Sequence, residues 1–270
     1  CSMNRLIIVK GGGDLATGIA HRLFRSGFDV LITEIAQPTV IRRTVAFASA
    51  VFEGRMTVEA VTAVRATPAE VAGCLRERLI PVLIDPTCQI RGQAKPWGLV
   101  DAILAKKNTG TTINDAPVVI GVGPGFTAGV AVHRVVETMR GHDLGRVIET
   151  GTAEPNTGIP GDIGGYTLER LVTAPADGTF WPQKQIGDIV AAGDILGTVG
   201  ATPVVGAISG VLRGVLYPGL TVTKNMKIGD IDPRAKVQHC WTISDKARAV
   251  GGGVLEALLM AEPCFRLPNA

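Results

Sequence analysis

LIIVKGGGDLATG, residues 6–18, carries a short apolar run into three glycines and then into a helical pattern. Leu6 to Val9 reads as a strand, and Leu15, Ile19 and Leu23 fall on one face of a helix that Gly27 ends. Gly11, Gly13 and Ala16 form a Gly-x-Gly-x-x-Ala pattern in the strand-turn-helix context that gives it meaning. The first glycine permits a tight turn, the second lets backbone amides approach a pyrophosphate, and Ala16 allows close helix-to-strand packing. The amino end of the helix favours the anion. Glu34 follows the strand Val30 to Thr33, 18 residues past Ala16, where an acid accepts hydrogen bonds from ribose hydroxyls. Asp14, a carboxylate at the same place, reads as a helix cap. The stretch therefore stands for a dinucleotide or nucleotide site, the alternative being a tight turn in an α/β sheet.

Outward from it, Thr39 to Phe52 reads as a helix, Val58 to Val64 as a strand, Pro68 to Leu79 as a helix with proline in its first turn, and Pro81 to Ile84 as a strand. Leu99 to Lys106 is expected as a helix, and Val118 to Val122 as a buried strand. A second glycine loop follows, Gly123-x-Gly125-x-x-Ala128, with a helix to about Met139 and a strand at Val147 to Glu149. It repeats the first loop 112 residues on, with His133 and Arg134 matching His21 and Arg22, although a glycine-rich chain produces such echoes by coincidence. Gly123, Gly125 and Thr127, a hydroxyl at the expected helix start, are candidate ligand contacts beside Gly11, Gly13, Ala16 and Glu34. Alternation of strand and helix predicts a Rossmann-like doubly wound parallel sheet over residues 3–155.

Beyond a linker rich in glycine, short strands punctuated by glycine and proline replace the helices. Residues 166–234 are expected as a smaller all-β module whose halves repeat at an offset of 32, with Gly178 against Gly210, Val190 against Val222 and Gly197 against Gly229. A C-terminal helical segment, residues 240–262, packs back on the body. Its Gly251 to Gly253 lacks a preceding strand and reads as a packing feature.

Composition narrows the function. Apolar residues make up 46% and charged residues 19% of 270, which excludes disorder. A net charge of +3 with 4% aromatic residues gives no footprint for nucleic acid. The longest uncharged windows, Ala116 to Val132 and Ile195 to Leu212, are broken by glycine, proline and threonine, so no membrane span is expected. Met3 reads as the native start, with no signal peptide. Five cysteines without a Cys-x-x-Cys pair indicate neither metal site nor disulfide framework, and fit a cytoplasmic protein. Cys240 is the weak catalytic candidate: His239, Lys246 and a coming helix amino end would lower its pKa, whereas the alternative is a buried thiol.

Five blocks, GGGDLATG (11–18), TEIAQPTVIRRT (33–44), GPGFTAG (123–129), RGHDLGRV (140–147) and ISDKARAVGGGVLE (243–256), resemble the YqeB family, which accompanies selenium-dependent molybdenum hydroxylases. That family is loosely similar to XdhC-type maturation factors, which have a dinucleotide-fold domain and handle molybdenum cofactor. The resemblance implies a role in hydroxylase maturation with the hydroxylase as partner, and assigns no catalytic residue. The β-module resembles a biotinyl/lipoyl-like barrel-sandwich in APADG (174–178) and IGDIVAAGD (186–194). No lysine lies between Lys184 and Lys224, so neither biotin nor lipoate is expected. The reading is an accessory protein that binds a nucleotide-bearing cofactor, NAD(P) or a molybdopterin dinucleotide. An NAD-dependent oxidoreductase and a non-catalytic scaffold docking the hydroxylase remain as alternatives, so enzyme status stays open, and a homo-oligomer is compatible with all three.

Overall fold

The structure, a computed structural model, describes residues 6–105, 107–158 and 161–262. It divides into two units: Cys1–Ala36, Phe47–Asn156 and Ile243–Ala270 form the first, Gln37–Ala46 and Thr157–Thr242 the second. Placing residues 37–46 with the later module is a tertiary assignment that a linear reading cannot make.

In the first unit, β1 (Leu6–Lys10), α1 (Asp14–Arg25) and β2 (Asp29–Glu34) lie where the apolar periodicity puts them. They are followed by α2 (Ala50–Glu53), β3 (Arg55–Val58), β4 (Val61–Arg65), α3 (Val71–Arg76), β5 (Ile80–Ile84), α4 (Ile90–Ala94) and β6 (Gly98–Asp101). Then come β7 (Val118–Val122), β8 (Arg134–Val136), β9 (Val147–Ile148) and, after the second unit, α5 (Asp245–Leu259). The nine strands make one sheet in the order β3-β4-β5-β2-β1-β6-β7-β8-β9. The inner seven are parallel, and β3 and β9 are antiparallel edges. One apolar cluster holds Leu6, Ile8, Leu31, Leu83, Leu99 and Val119 from the strands with Phe126 and Val132. Elsewhere α1 and α5 pack closely, an alanine methyl of Ala247 lying where Gly18 has no side chain.

This corrects the Rossmann-like doubly wound parallel sheet. The sheet is mixed, and among the described residues no helix joins β6 to β7 or β7 to β8, so the crossovers that define a doubly wound fold are missing there. The helix expected over Leu99 to Lys106 is instead β6, because a short apolar run fits a buried strand as well as a helix and pairing with β1 and β7 decides. Lys106 itself lies outside the described residues. The helix expected to reach Met139 is replaced by a turn, in which the Thr127 carbonyl accepts from the amides of Val130 and Ala131, and by β8. The single strand expected at Val58 to Val64 is a β3–β4 hairpin turning at Glu59 and Ala60, both with positive φ.

The helix expected over Thr39 to Phe52 is also absent until α2. Its first part is an extended segment with a 3₁₀ turn at Arg43–Val45. The Ile41 carbonyl accepts from the Val215 amide at 2.9 Å, and Arg43 Nε donates to the Val215 carbonyl at 2.7 Å, so partners within the second unit outweigh local helix propensity.

The second unit contains β10 (Leu171–Thr173), β11 (Gly178–Pro182), β12 (Ile189–Val190), β13 (Ile195–Val199), β14 (Thr202–Val205), β15 (Gly210–Val215), β16 (Thr221–Val222) and β17 (Lys227–Asp232). The expected barrel-sandwich is corrected to two four-stranded antiparallel sheets, β10-β17-β15-β12 and β14-β13-β11-β16. The repeat interlocks them: Gly178 pairs with Val222, and its counterpart Gly210 pairs with Val190. Between them lies a core that includes Phe180, Leu196, Leu212 and Ile231. No described helix is long and apolar enough to cross a membrane.

Candidate functional site at the carboxyl edge of the sheet

Seven parallel strands bring their carboxyl ends to one edge, where open α/β sheets bind ligands. Gly11, Gly13 and Ala16 lie between β1 and α1, and Glu34 ends the neighbouring β2. Gly11 has φ +89, and a Cβ there would meet the Ala102 carbonyl at 3.1 Å. A Cβ on Gly12 would meet the Ala48 amide nitrogen at 2.8 Å, so chain closely covers this part of the loop. Gly13 is the N-cap of α1 without a side-chain hydrogen bond, so Asp14 opens the helix rather than capping it.

Glu34 Oε1 accepts the Gly12 amide and Oε2 the Ile35 amide, each at 2.8 Å. Burial pushes its carboxyl upward, and the two amides hold the rise back. Each carboxylate oxygen retains a second lone-pair direction for a hydroxyl donor. The Gly12 amide is thus engaged by Glu34, and the anion-directed part of the loop shifts to Gly13 and the uncapped first turn of α1.

Gly123, Gly125 and Thr127 follow β7 and share this edge, but the sheet order places β6 between their strand and β1. Gly123 and Gly125 have φ +78 and +103. Without a helix after them, they lack the dipole of a helix amino end, and a Cβ on Gly125 would meet the Lys107 Cα at 3.1 Å. These glycines serve close backbone approach.

Cys240 requires a further correction. It is fully buried in the second unit, with its Sγ 3.9 Å from the Leu212 carbonyl. Burial raises its pKa against the pull of Arg213 and Arg42, opposite to the direction a nucleophile needs. Lys246 and the amino end of α5 belong to the first unit.

Several polar groups at the edge escaped sequence reasoning. Lys10 Nζ lies 3.1 Å from Asp101 Oδ2 and 2.5 Å from Thr111 Oγ1, and that hydroxyl lies 2.6 Å from the same carboxylate oxygen. Beside them the Cys88 thiol is held upward by burial and then Asp85, with Lys10 and Thr33 opposing. Buried Glu137 accepts the amides of Thr138 and Met139 at 2.6 Å on Oε1 and that of Glu154 at 2.8 Å on Oε2. Lys246, near Asp14 and Glu137, is shifted downward by burial first and Arg140 second. The legible signal was an apolar run closing on a charge, as in LIIVK, VLITE and GLVD. At the ends of β4 and β5 the edge also holds a cleft of about 870 Å³. Among the described residues no group of three or more His, Cys, Asp or Glu side chains is placed to hold a metal.

Fold and edge together define an α/β unit whose glycine loop is a candidate ligand site, and a second, antiparallel unit. No family model matches the chain. It is 51% identical over 260 residues to the uncharacterized protein YqeB of Escherichia coli strain K12, covering 96% of this chain and 48% of that relative. The chain thus spans about half the length of the curated relative it matches, and the similarity to YqeB suggested by the five blocks extends over nearly all of it.

Similar solved structures include an aspartoacylase family protein from Mesorhizobium loti, 10% identical with 87% of each chain covered and a TM-score of 0.28. A succinylglutamate desuccinylase from Silicibacter sp. TM1040 is 12% identical over 86% of this chain and 85% of its own, with a TM-score of 0.25. TM-scores this low define neither fold nor activity. None of these proteins bears a name that mentions molybdenum or selenium.

Proposed function

We propose that the chain is an accessory protein in the maturation of a selenium-dependent molybdenum hydroxylase and holds a nucleotide-bearing cofactor at the carboxyl edge of its first unit. The observation that carries this reading is the amino end of α1, without a side-chain cap, one strand away from Glu34. Phosphate oxygens would lie against Gly13 and the first turn of α1, and ribose hydroxyls would donate to Glu34. Lys246 offsets the carboxylate of Asp14 in that neighbourhood. The residues fit a nicotinamide or a pterin dinucleotide, whose reactive group would supply any redox or metal-ligating chemistry. The family resemblance of the five blocks supports the hydroxylase as partner.

Calorimetric titration with NAD, NADP and a molybdopterin dinucleotide tests the reading. Gly13→Val is expected to weaken the bound nucleotide at least tenfold, about 1.4 kcal/mol, because a branched side chain enters the phosphate approach. Unchanged affinity in a folded variant sinks the glycine-loop assignment. Failure of the tagged chain to retain the hydroxylase in its producing cell sinks the accessory role.

A further inference from the structure

We infer that the cleft at the ends of β4 and β5 is the subsite for the heterocyclic base of a nucleotide. The inference rests on the nucleotide reading of the glycine loop and extends it to a different set of residues. The cleft has a volume of about 870 Å³, within the usual range for small-molecule sites. Leu83 and Ile90, both buried, form part of its lining, and Ile84 is an apolar wall left 40% exposed. A branched aliphatic residue open to water at the ligand-side end of a buried strand is an unfilled apolar surface, suited to the face of a flat ring.

The edge of such a ring needs donors and acceptors, and the lining supplies them. Arg65 ends β4 and offers guanidinium donors, while Gln89 and Gln93, four residues apart on one helical face, offer amides that both donate and accept. Two acids also border the cleft, but they are engaged locally. Asp85 accepts the Gln89 and Ile90 amides at 2.9 and 2.8 Å, and Glu70 Oε2 accepts from Thr67. The polar lining thus combines two amides, one cation and two carboxylates whose oxygens already accept local donors, so the amides and Arg65 are left to meet the edge of an uncharged base.

Position ties the cleft to the loop. In the parallel register Glu34 stands opposite Ile84, and the Asp85 amide donates to the Glu34 carbonyl at 2.9 Å. Glu34 in turn accepts the Gly12 amide. Loop, acid and cleft therefore occupy successive strands β1, β2 and β5, a span of about 10 Å at normal strand spacing. Phosphate, ribose and base follow one another in the same order.

Protein labelled at isoleucine δ1-methyl groups is titrated with adenosine, guanosine, cytidine and uridine and with their 5′-diphosphates. At least one nucleoside should move the Ile84 and Ile90 resonances saturably, and its diphosphate should bind more tightly. Arg65→Ala and Gln93→Ala, both at exposed positions, should each weaken that nucleoside about fivefold or more. Gly13→Val should leave nucleoside affinity unchanged while weakening the diphosphate. A diphosphate that binds in a Gly13-dependent way with both methyls unmoved overturns the base subsite and leaves the loop reading standing. Absence of any nucleoside or diphosphate effect on the two methyls also overturns it. Nucleoside binding in the cleft with a diphosphate indifferent to Gly13→Val supports the subsite and removes the loop cradle.

Discussion

Asp101 and Lys10 face each other across neighbouring strands with side chains only 2% and 8% exposed. Taking both charges out of water costs most of what their attraction returns, so the pair adds little net stability, but breaking it strands a charge in the interior. Asp101→Ala is expected to lower unfolding free energy by about 3–5 kcal/mol in urea titrations. A double variant, Lys10→Met with Asp101→Leu, should recover most of the loss. Equal destabilisation by the double variant would show that the pair itself contributes the stability. Thr111 adds the hydrogen bond that fixes which carboxylate oxygen Lys10 meets.

Among the elements, the contact of α1 with α5 depends on small residues. A Cβ on Gly251 would meet the Gly18 carbonyl at 2.9 Å, and one on Gly253 would land on the Gly145 carbonyl, whereas none meets anything from Gly252. Gly253→Ala should therefore cost about 1–3 kcal/mol through displaced backbone. Gly252→Ala, one residue away on the same helix, should gain about 0.5–1 kcal/mol through reduced chain entropy. Thermal unfolding of the two variants reads opposite shifts; shifts of the same sign would refute the packing account of GGG (251–253).

For the whole molecule, histidine charge sets a pH dependence. His21 and His133 both lie below the ordinary value of 6.5, burial being the first cause in each. His133 Nδ1 accepts the Val119 amide at 3.0 Å, which only an unprotonated nitrogen can do. With folded pKa values below the unfolded one, the unfolded chain takes up protons first. The stability they contribute is complete above 6.5 and is lost as pH falls through the folded values. The urea midpoint should drop between about pH 7.5 and about pH 5.5, and the drop should shrink in a His21→Gln, His133→Gln variant. An unchanged slope in that variant would assign the acid sensitivity to other groups.

The sequence by itself determined β1, α1, β2, β5, β7 and α5, because each has one strong apolar period or run bounded by glycine, proline or charge. It also determined Gly11, Gly13, Ala16 and Glu34 as neighbours, since they lie within one strand-turn-helix-strand unit whose connections are short. The quasi-repeat at 32 residues was equally local in origin, and its pairing in the structure follows the same offset. Tertiary structure alone decided the rest. β6 is a strand because β1 and β7 supply partners on both sides, and residues 37–46 do not form the expected helix because the Val215 amide donates to the Ile41 carbonyl and the Val215 carbonyl accepts from Arg43. Asp101 met Lys10, and Ile84 met Glu34, only through sheet register across residues distant in the chain. A short apolar run carries no statement of its partners, and the burial of Cys240, which reverses the direction of its pKa, arises from contacts that no spacing encodes.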